Sequence, residues 1–166
     1  MAKLIVYYSR AGENYFGGKL KSIEIGNTEK VAKLIEEKTG ADLFKIEQKV
    51  PYAEDYNTCI DQAKKDLQKK ARPELENMPA DLDKYDEIYL GYPNYWGTMP
   101  MAVYTFLEAY NFKGKKIHPF CTNEGSGLSN TESDIKKTAK GATVTKGLSI
   151  NGSRVDASTG LIESWI

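Results

Sequence analysis

This chain is poor in the side chains that carry acid–base, thiol or metal chemistry. Histidine occurs once, at His118, and cysteine twice, at Cys59 and Cys121. Two cysteines make no disulfide framework, so both are expected as reduced thiols. There is no Cys-x-x-Cys, and no His/Cys/Asp cluster has metal-ligand spacing. His118 sits before Pro119 in an apolar stretch and reads as a packed strand residue. A charge excess is also missing. Lys+Arg and Asp+Glu number 23 each, for a formal net charge of +0. A nucleic-acid binder needs a basic excess to neutralise phosphates, so that class is excluded. No apolar run approaches the ~18 residues of a membrane span. The apolar run at the N-terminus is also shorter than the ~7–15 residues of a signal-peptide core. The expected protein is soluble and cytoplasmic. Its 166 residues are expected to form one domain, 1–166, large enough for a good core.

What is present is alternation. Short apolar, β-branched and aromatic runs predict strands at Lys3–Tyr8, Ala41–Ile46, Asp86–Tyr92, Lys115–Cys121 and Ala142–Leu148. Between them, helical periodicity and stop signals predict helices at Gly26–Lys38, Asp55–Arg72, Pro100–Tyr110 and Ser129–Ala139. A short final helix is predicted over Asp156–Trp165. Asn27 or Thr28 is the expected cap of the first helix, and Gly40 its stop. In the second helix Ile60, Ala63 and Leu67 form the expected inward face. Strands alternating with helices imply an α/β fold whose parallel sheet is covered on both faces.

Ligands of such sheets bind outside the carboxyl ends of the strands. Ser9 and Arg10 follow the first strand, and Gly26-Asn27-Thr28 opens the helix. Hydroxyl and amide donors, a glycine and a helix N-terminus together suit a phosphate. Between the two pieces lies a fifteen-residue insert, Ala11–Ile25, whose Gly17-Gly18 suggests a small hairpin. Tyr15 or Phe16 would fold over a ligand or line a substrate entrance; a flap with no specific role is the alternative. After the third strand come Pro93, Asn94, Tyr95, Trp96 and Gly97. A planar ligand needs a stacking surface, and one of the two rings is expected to supply it, Trp96 in preference. The other is expected on the third helix. Gly97 permits a peptide flip beside such a ring. After the fourth strand, Thr122 and Glu124-Gly125-Ser126-Gly127 offer backbone N–H groups to a ring edge, with Glu124 suited to a ring N–H donor.

With the insert excised the first loop reads Ser-Arg-Gly-Asn-Thr, which resembles the phosphate loop of flavodoxins. The chain is similar to that superfamily along its length. The matching pieces are Tyr8-Ser9-Arg10, Gly26-Asn27-Thr28-Glu29, Gly91 to Gly97, Met99-Pro100-Met101, Phe120-Cys121-Thr122 and Glu124 to Gly127. The resemblance implies a three-layer flavodoxin-like sandwich with five parallel strands in the order 2-1-3-4-5. It also implies noncovalently bound flavin mononucleotide (FMN). Ser9, Arg10, Asn27 and Thr28 would then hold phosphate, Pro93 to Gly97 would meet ribityl chain and ring, and Thr122 to Gly127 the ring edge. Flavodoxins that shuttle electrons between proteins are typically very acidic, and this chain has no such field. The tilt is therefore towards a reductase that takes electrons from NAD(P)H and passes them to quinones or similar small acceptors. An electron-transfer flavodoxin with a redox partner protein is the other job. No Gly-x-Gly-x-x-Gly follows the first strand, so a nicotinamide would bind transiently over the flavin. The alternative outside redox chemistry is a noncatalytic ligand-binding or signalling module on the same fold. A phosphoacceptor receiver would need acidic residues where Ser9 and Arg10 stand. Monomer and homodimer both remain open.

Overall fold

Residues 2–166 are described by a computed structural model. Its central sheet is built from β1 (Ala2–Tyr7), β4 (Asp42–Lys45), β5 (Tyr85–Pro93), β6 (Lys116–Asn123), β7 (Thr143–Val144) and β8 (Leu148–Asn151). The order is β4-β1-β5-β6-β7, with β8 also on β6, and every pairing is parallel. Relabelled by succession along the chain, this is the order expected from the sequence.

Strand periodicity explains the layers. Leu4 and Val6 of β1 join an apolar cluster with Val103 and Phe106 of α3 (Met101–Glu108) and Ile135 of α4 (Thr131–Thr138). Ile5 and Tyr7, one residue out of phase, join Val31 and Ile35 of α1 (Asn27–Thr39) and Ile162 of α5 (Thr159–Trp165). Helices thus cover both faces. Among the described residues, α2 (Tyr56–Lys69) contributes none to either cluster, although Cys59 and Ala63 are buried. Asp55 caps this helix, its side chain accepting from the Thr58 N–H at 2.8 Å.

Three local features depart from the sequence reading. The last predicted strand is two pieces, β7 and β8, broken around Gly147. That glycine's N–H donates to Glu132 Oε2, and a Cβ there would come within 3.0 Å of Leu128. The final helix begins as a 3-10 turn, Gly152–Ala157, before α5. Neither Asn27 nor Thr28 caps α1. Gly26 occupies that position, and the Ser9 hydroxyl accepts from the Glu29 N–H at 3.0 Å instead.

The insert forms a hairpin, β2 (Gly12–Phe16) with β3 (Lys19–Ile23), turning at Gly17-Gly18. His118 is a packed strand residue: its ring bonds Thr145 Oγ1 and Glu87 Oε1 and stacks on Tyr89. Among the described residues no helix is long and apolar enough to cross a membrane.

Tyrosines buried around the sheet make stability sensitive to alkali. Burial pushes Tyr7 up to about 12, with Glu29 adding to the rise. Burial also raises Tyr8, Tyr92 and Tyr95. Below the ordinary tyrosine value of ~10, both native and unfolded chains keep these protons. Above it the unfolded chain releases protons that the native chain retains, so stability falls as pH climbs. Urea midpoints are expected to be level from pH 8 to 9 and to drop steadily beyond pH ~10. A midpoint unchanged through pH ~11 would contradict this burial.

Candidate functional site

A cleft of about 380 Å³ opens at the carboxyl ends of β1, β5 and β6, within the range of small-molecule sites. One side is polar, formed by Asn27, Thr28, Thr122, Asn123, Glu124 and Gly152. The other is largely apolar, formed by Tyr15 of the hairpin, by Tyr56, Cys59, Ile60 and Ala63 of α2, and by Tyr95 and Trp96. Helix α2 therefore faces the cleft where a fully packed fold would have it on the sheet.

The polar corner is built on close backbone approach. A Cβ on Gly26 would lie 2.1 Å from Ser9 Oγ and 2.7 Å from the Arg10 carbonyl oxygen. Glycine lets the two segments cross, which brings the positive end of α1 to the cleft. Thr28 and Thr122 join their hydroxyls at 2.7 Å, tying α1 to the end of β6. Asn27 Oδ1 and Glu124 Oε1 are buried without a partner. Both flank Gly152, where a Cβ would stand 2.5 Å from Asn27 Nδ2 and 3.3 Å from Glu124 Oε1. Glu124 thus belongs with the N-terminus of α1, at the end where the sequence reading sought phosphate.

Arg10 lines the cleft, but its guanidinium is engaged within the protein. Its Nε donates to Glu13 O at 2.9 Å, Nη1 to Ala53 O at 3.0 Å and Nη2 to Glu54 O at 2.6 Å. The guanidinium clips the hairpin to the segment before α2, and its geometry is that of a strut.

Trp96 and Gly97 form the two central residues of a tight turn. Tyr95 N–H donates to Thr98 O at 2.8 Å, and Thr98 N–H returns to Tyr95 O at 3.3 Å. Both central residues are left-handed, with φ of 57° at Trp96 and 85° at Gly97. Such turns ordinarily hold Asn-Gly, and a bulky residue there stores about 1–2 kcal/mol of strain. Strain of this kind collects at functional sites. The Trp96 indole N–H donates to Ile60 O at 2.8 Å, and 49% of the residue remains exposed. Tyr95 turns inward, edge-on to Tyr8 at 5.9 Å, and packs against the core cluster that also holds residues of α3. Its hydroxyl is buried without a partner, and burial holds its acidity well below that of free tyrosine.

Several expected contacts are taken up inside the protein. Asn94 accepts from Gly97 N–H at 2.9 Å and donates to Gly127 O and Ser129 Oγ, a staple between two loops. That bond also fixes the peptide expected to flip. Asn123 Oδ1 accepts from the N–H groups of Gly125 and Gly127, both at 3.0 Å, so these amides turn from the cleft. Arg10, Asn27, Thr28, Pro93, Asn94, Tyr95, Trp96, Thr122, Glu124 and Ser126 all line the cleft. Ser9, Gly97, Gly125 and Gly127 stand behind that lining and shape it. Sequence reasoning did not reach Asn14, Tyr56, Cys59, Ile60, Ala63 or Gly152 as site residues. Ile60 and Ala63 carried a helical apolar signal, but that signal does not distinguish a face towards a core from a face towards a cleft. Burial raises the Cys59 thiol, which leaves it protonated and a poor nucleophile.

Residues 21–166 match the family model described as Flavodoxin, and the chain belongs to that family. No curated protein matches it. Among solved structures, a protein from Bacteroides uniformis designated a flavoprotein is 26% identical, with a TM-score of 0.76 over 98% of this chain and 97% of that one. Another so designated, from Bacteroides eggerthii, is 25% identical, with a TM-score of 0.74 over 98% of each chain. A flavoprotein from Lactobacillus acidophilus, solved in complex with FMN, is 24% identical, with a TM-score of 0.68 over 94% of this chain and 97% of that one.

Proposed function

We propose that this chain, acting as one domain, binds FMN noncovalently in the cleft and uses it as an NAD(P)H-linked reductase of small acceptors such as quinones. The observation that carries the flavin reading is the set of buried polar atoms left unpartnered in one cleft: Asn27 Oδ1, Glu124 Oε1 and the Tyr95 hydroxyl. Buried groups of this kind are ordinarily satisfied, and each costs about 1–3 kcal/mol if it is not. A ligand with hydroxyls and ring heteroatoms would satisfy them.

The residues fit FMN part by part. The N-terminus of α1 behind Gly26 suits the phosphate. Asn27, Thr28, Thr122 and Glu124 suit the ribityl hydroxyls. The unpartnered Tyr95 hydroxyl would donate a hydrogen bond to the ring, and Trp96 would cover it. Bound FMN supplies the redox chemistry, accepting two electrons from the donor and releasing them to the acceptor. The chain's own part is to position the ring and exclude water. The family favours a second reading, an electron-transfer flavodoxin with a protein partner. A net charge of +0 supports the reductase, because there is no acidic field to steer a basic partner.

The test is a visible spectrum after mixing with FMN and gel filtration, followed by anaerobic NAD(P)H. Retained flavin bands that bleach in one two-electron stage are expected. Loss of all flavin on filtration would overturn the cofactor. Retained flavin that NAD(P)H leaves oxidised would favour the electron-transfer reading.

A further inference from the structure

The hairpin makes one wall of the cleft, yet it adds little to the core. Of the hairpin strands, only Ile23 is buried. It is nonetheless firmly held. Arg10 donates to Glu13 O, and Glu13 Oε1 accepts from Tyr56 N–H at 2.7 Å. Asn14 Nδ2 donates to Arg10 O at 2.9 Å. Strand alternation then sends Tyr15 to the cleft and Phe16 to the other face, where Lys21 lies 4.9 Å over its ring. Tyr15 keeps 44% of its surface exposed while meeting Tyr56 at 6.3 Å between centroids and an interplanar angle of 33°. A large aromatic residue held at a cleft mouth with an open face has the form of a stacking platform.

We propose that Tyr15 and Tyr56 form an acceptor subsite for a planar, uncharged aromatic molecule of the quinone class, beside the flavin. This rests on the FMN reading above. Charge complementarity favours an uncharged occupant. The wall of Tyr15, Tyr56, Ile60 and Ala63 carries no charge, and the nearby cation, Arg10, is engaged by three backbone carbonyls. The polar corner at Gly26 and the Tyr95–Trp96 turn would hold the two ends of FMN. Tyr15 and Tyr56 line the same cleft from the hairpin and the N-terminus of α2, on the side away from the polar corner. In the overall reaction a hydride from NAD(P)H, relayed by FMN, and one proton from solvent convert the quinone to hydroquinone. NAD(P)+ is the other product.

Binding can be read without turnover, because oxidised holoprotein does not reduce a quinone. Titration of oxidised, FMN-loaded protein with a simple naphthoquinone, followed by calorimetry, is expected to give saturable binding. Tyr15→Ala is expected to weaken it about five- to tenfold, the loss of one stacked ring. Tyr15→Phe is expected to keep it, and FMN affinity is expected to be the same in all three proteins. Equal quinone binding by Tyr15→Ala would overturn the subsite. So would a parallel fall in FMN affinity, which would assign Tyr15 to the flavin. Wild-type protein that retains FMN but binds no naphthoquinone overturns the subsite alone. Tyr15-dependent quinone binding by a protein that retains no FMN overturns the flavin reading alone.

Discussion

Gly26→Ala is expected to weaken FMN binding about 100-fold and to lower the melting temperature of the apoprotein. The added Cβ would stand 2.1 Å from Ser9 Oγ and 2.7 Å from Arg10 O. The serine hydroxyl could rotate away, but it would then abandon the Glu29 N–H that it caps. The Arg10 carbonyl belongs to the backbone and can yield only if the hairpin root or the start of α1 moves. Overpacking of this kind costs about 1–3 kcal/mol of apoprotein stability. Movement of α1 also withdraws its N–H groups from the ligand, and that loss is expected at about 2.7 kcal/mol of binding, or 100-fold. Gly18→Ala is the control. Unlike Gly26, whose φ is −63°, Gly18 carries a positive φ of 91° that strains an alanine locally, but its Cβ meets nothing within 4 Å, and FMN affinity is expected to be unaltered. Flavin fluorescence titration of the two variants measures the difference. Equal affinities would remove the corner at Gly26 from the binding site.

Arg10→Met is expected to destabilise the apoprotein by about 2–3 kcal/mol. Hydrogen bonds from a charged donor contribute about 1.5–3 kcal/mol each, and the three carbonyls released here lie close enough to the surface to be rehydrated in part. For a chain of this size the change corresponds to about 4–12 °C in melting temperature. Arg10→Lys recovers little, because an ammonium is a point donor and cannot span Glu13, Ala53 and Glu54 as a planar fork does. The measurement separates two roles. A strut lowers apoprotein stability whether or not flavin is added. A phosphate ligand would leave the apoprotein melting temperature alone and reduce FMN affinity, and that outcome would return Arg10 to the role expected from the sequence.

Local signals were strongest where one element is buried on both faces. Leu4, Ile5, Val6 and Tyr7 read as a strand because nothing polar interrupts them, and the sheet places them at its centre. The hairpin was legible from Gly17-Gly18, since a tight reversal between strands needs residues with positive φ. The role of α2 was not legible. Its positions at Ile60 and Ala63 have the spacing of a core face, and hydrophobic periodicity records only which side avoids water. In the fold that side is turned to a cleft. Side-chain to backbone bonds were equally hidden. Asn123 folds back on Gly125 and Gly127, and Arg10 reaches residues more than forty positions away. Such pairings depend on tertiary placement, which no spacing rule encodes. The last strand failed for a local reason: Gly147 interrupts it to let Leu128 approach.

The mooring of the hairpin has a consequence for how this protein can change. Its anchors, Arg10, Glu13 and Asn14, lie at the root, while its turn at Gly17-Gly18 and the strand Lys19–Ser22 are open to solvent. Gly18, where an added Cβ meets nothing within 4 Å, accepts lengthening or grafted sequence with the mooring left in place. If Tyr15 serves the acceptor as proposed, acceptor choice and cofactor retention become separable traits, and a library over Tyr15 and Lys19–Ser22 is the way to vary the first alone.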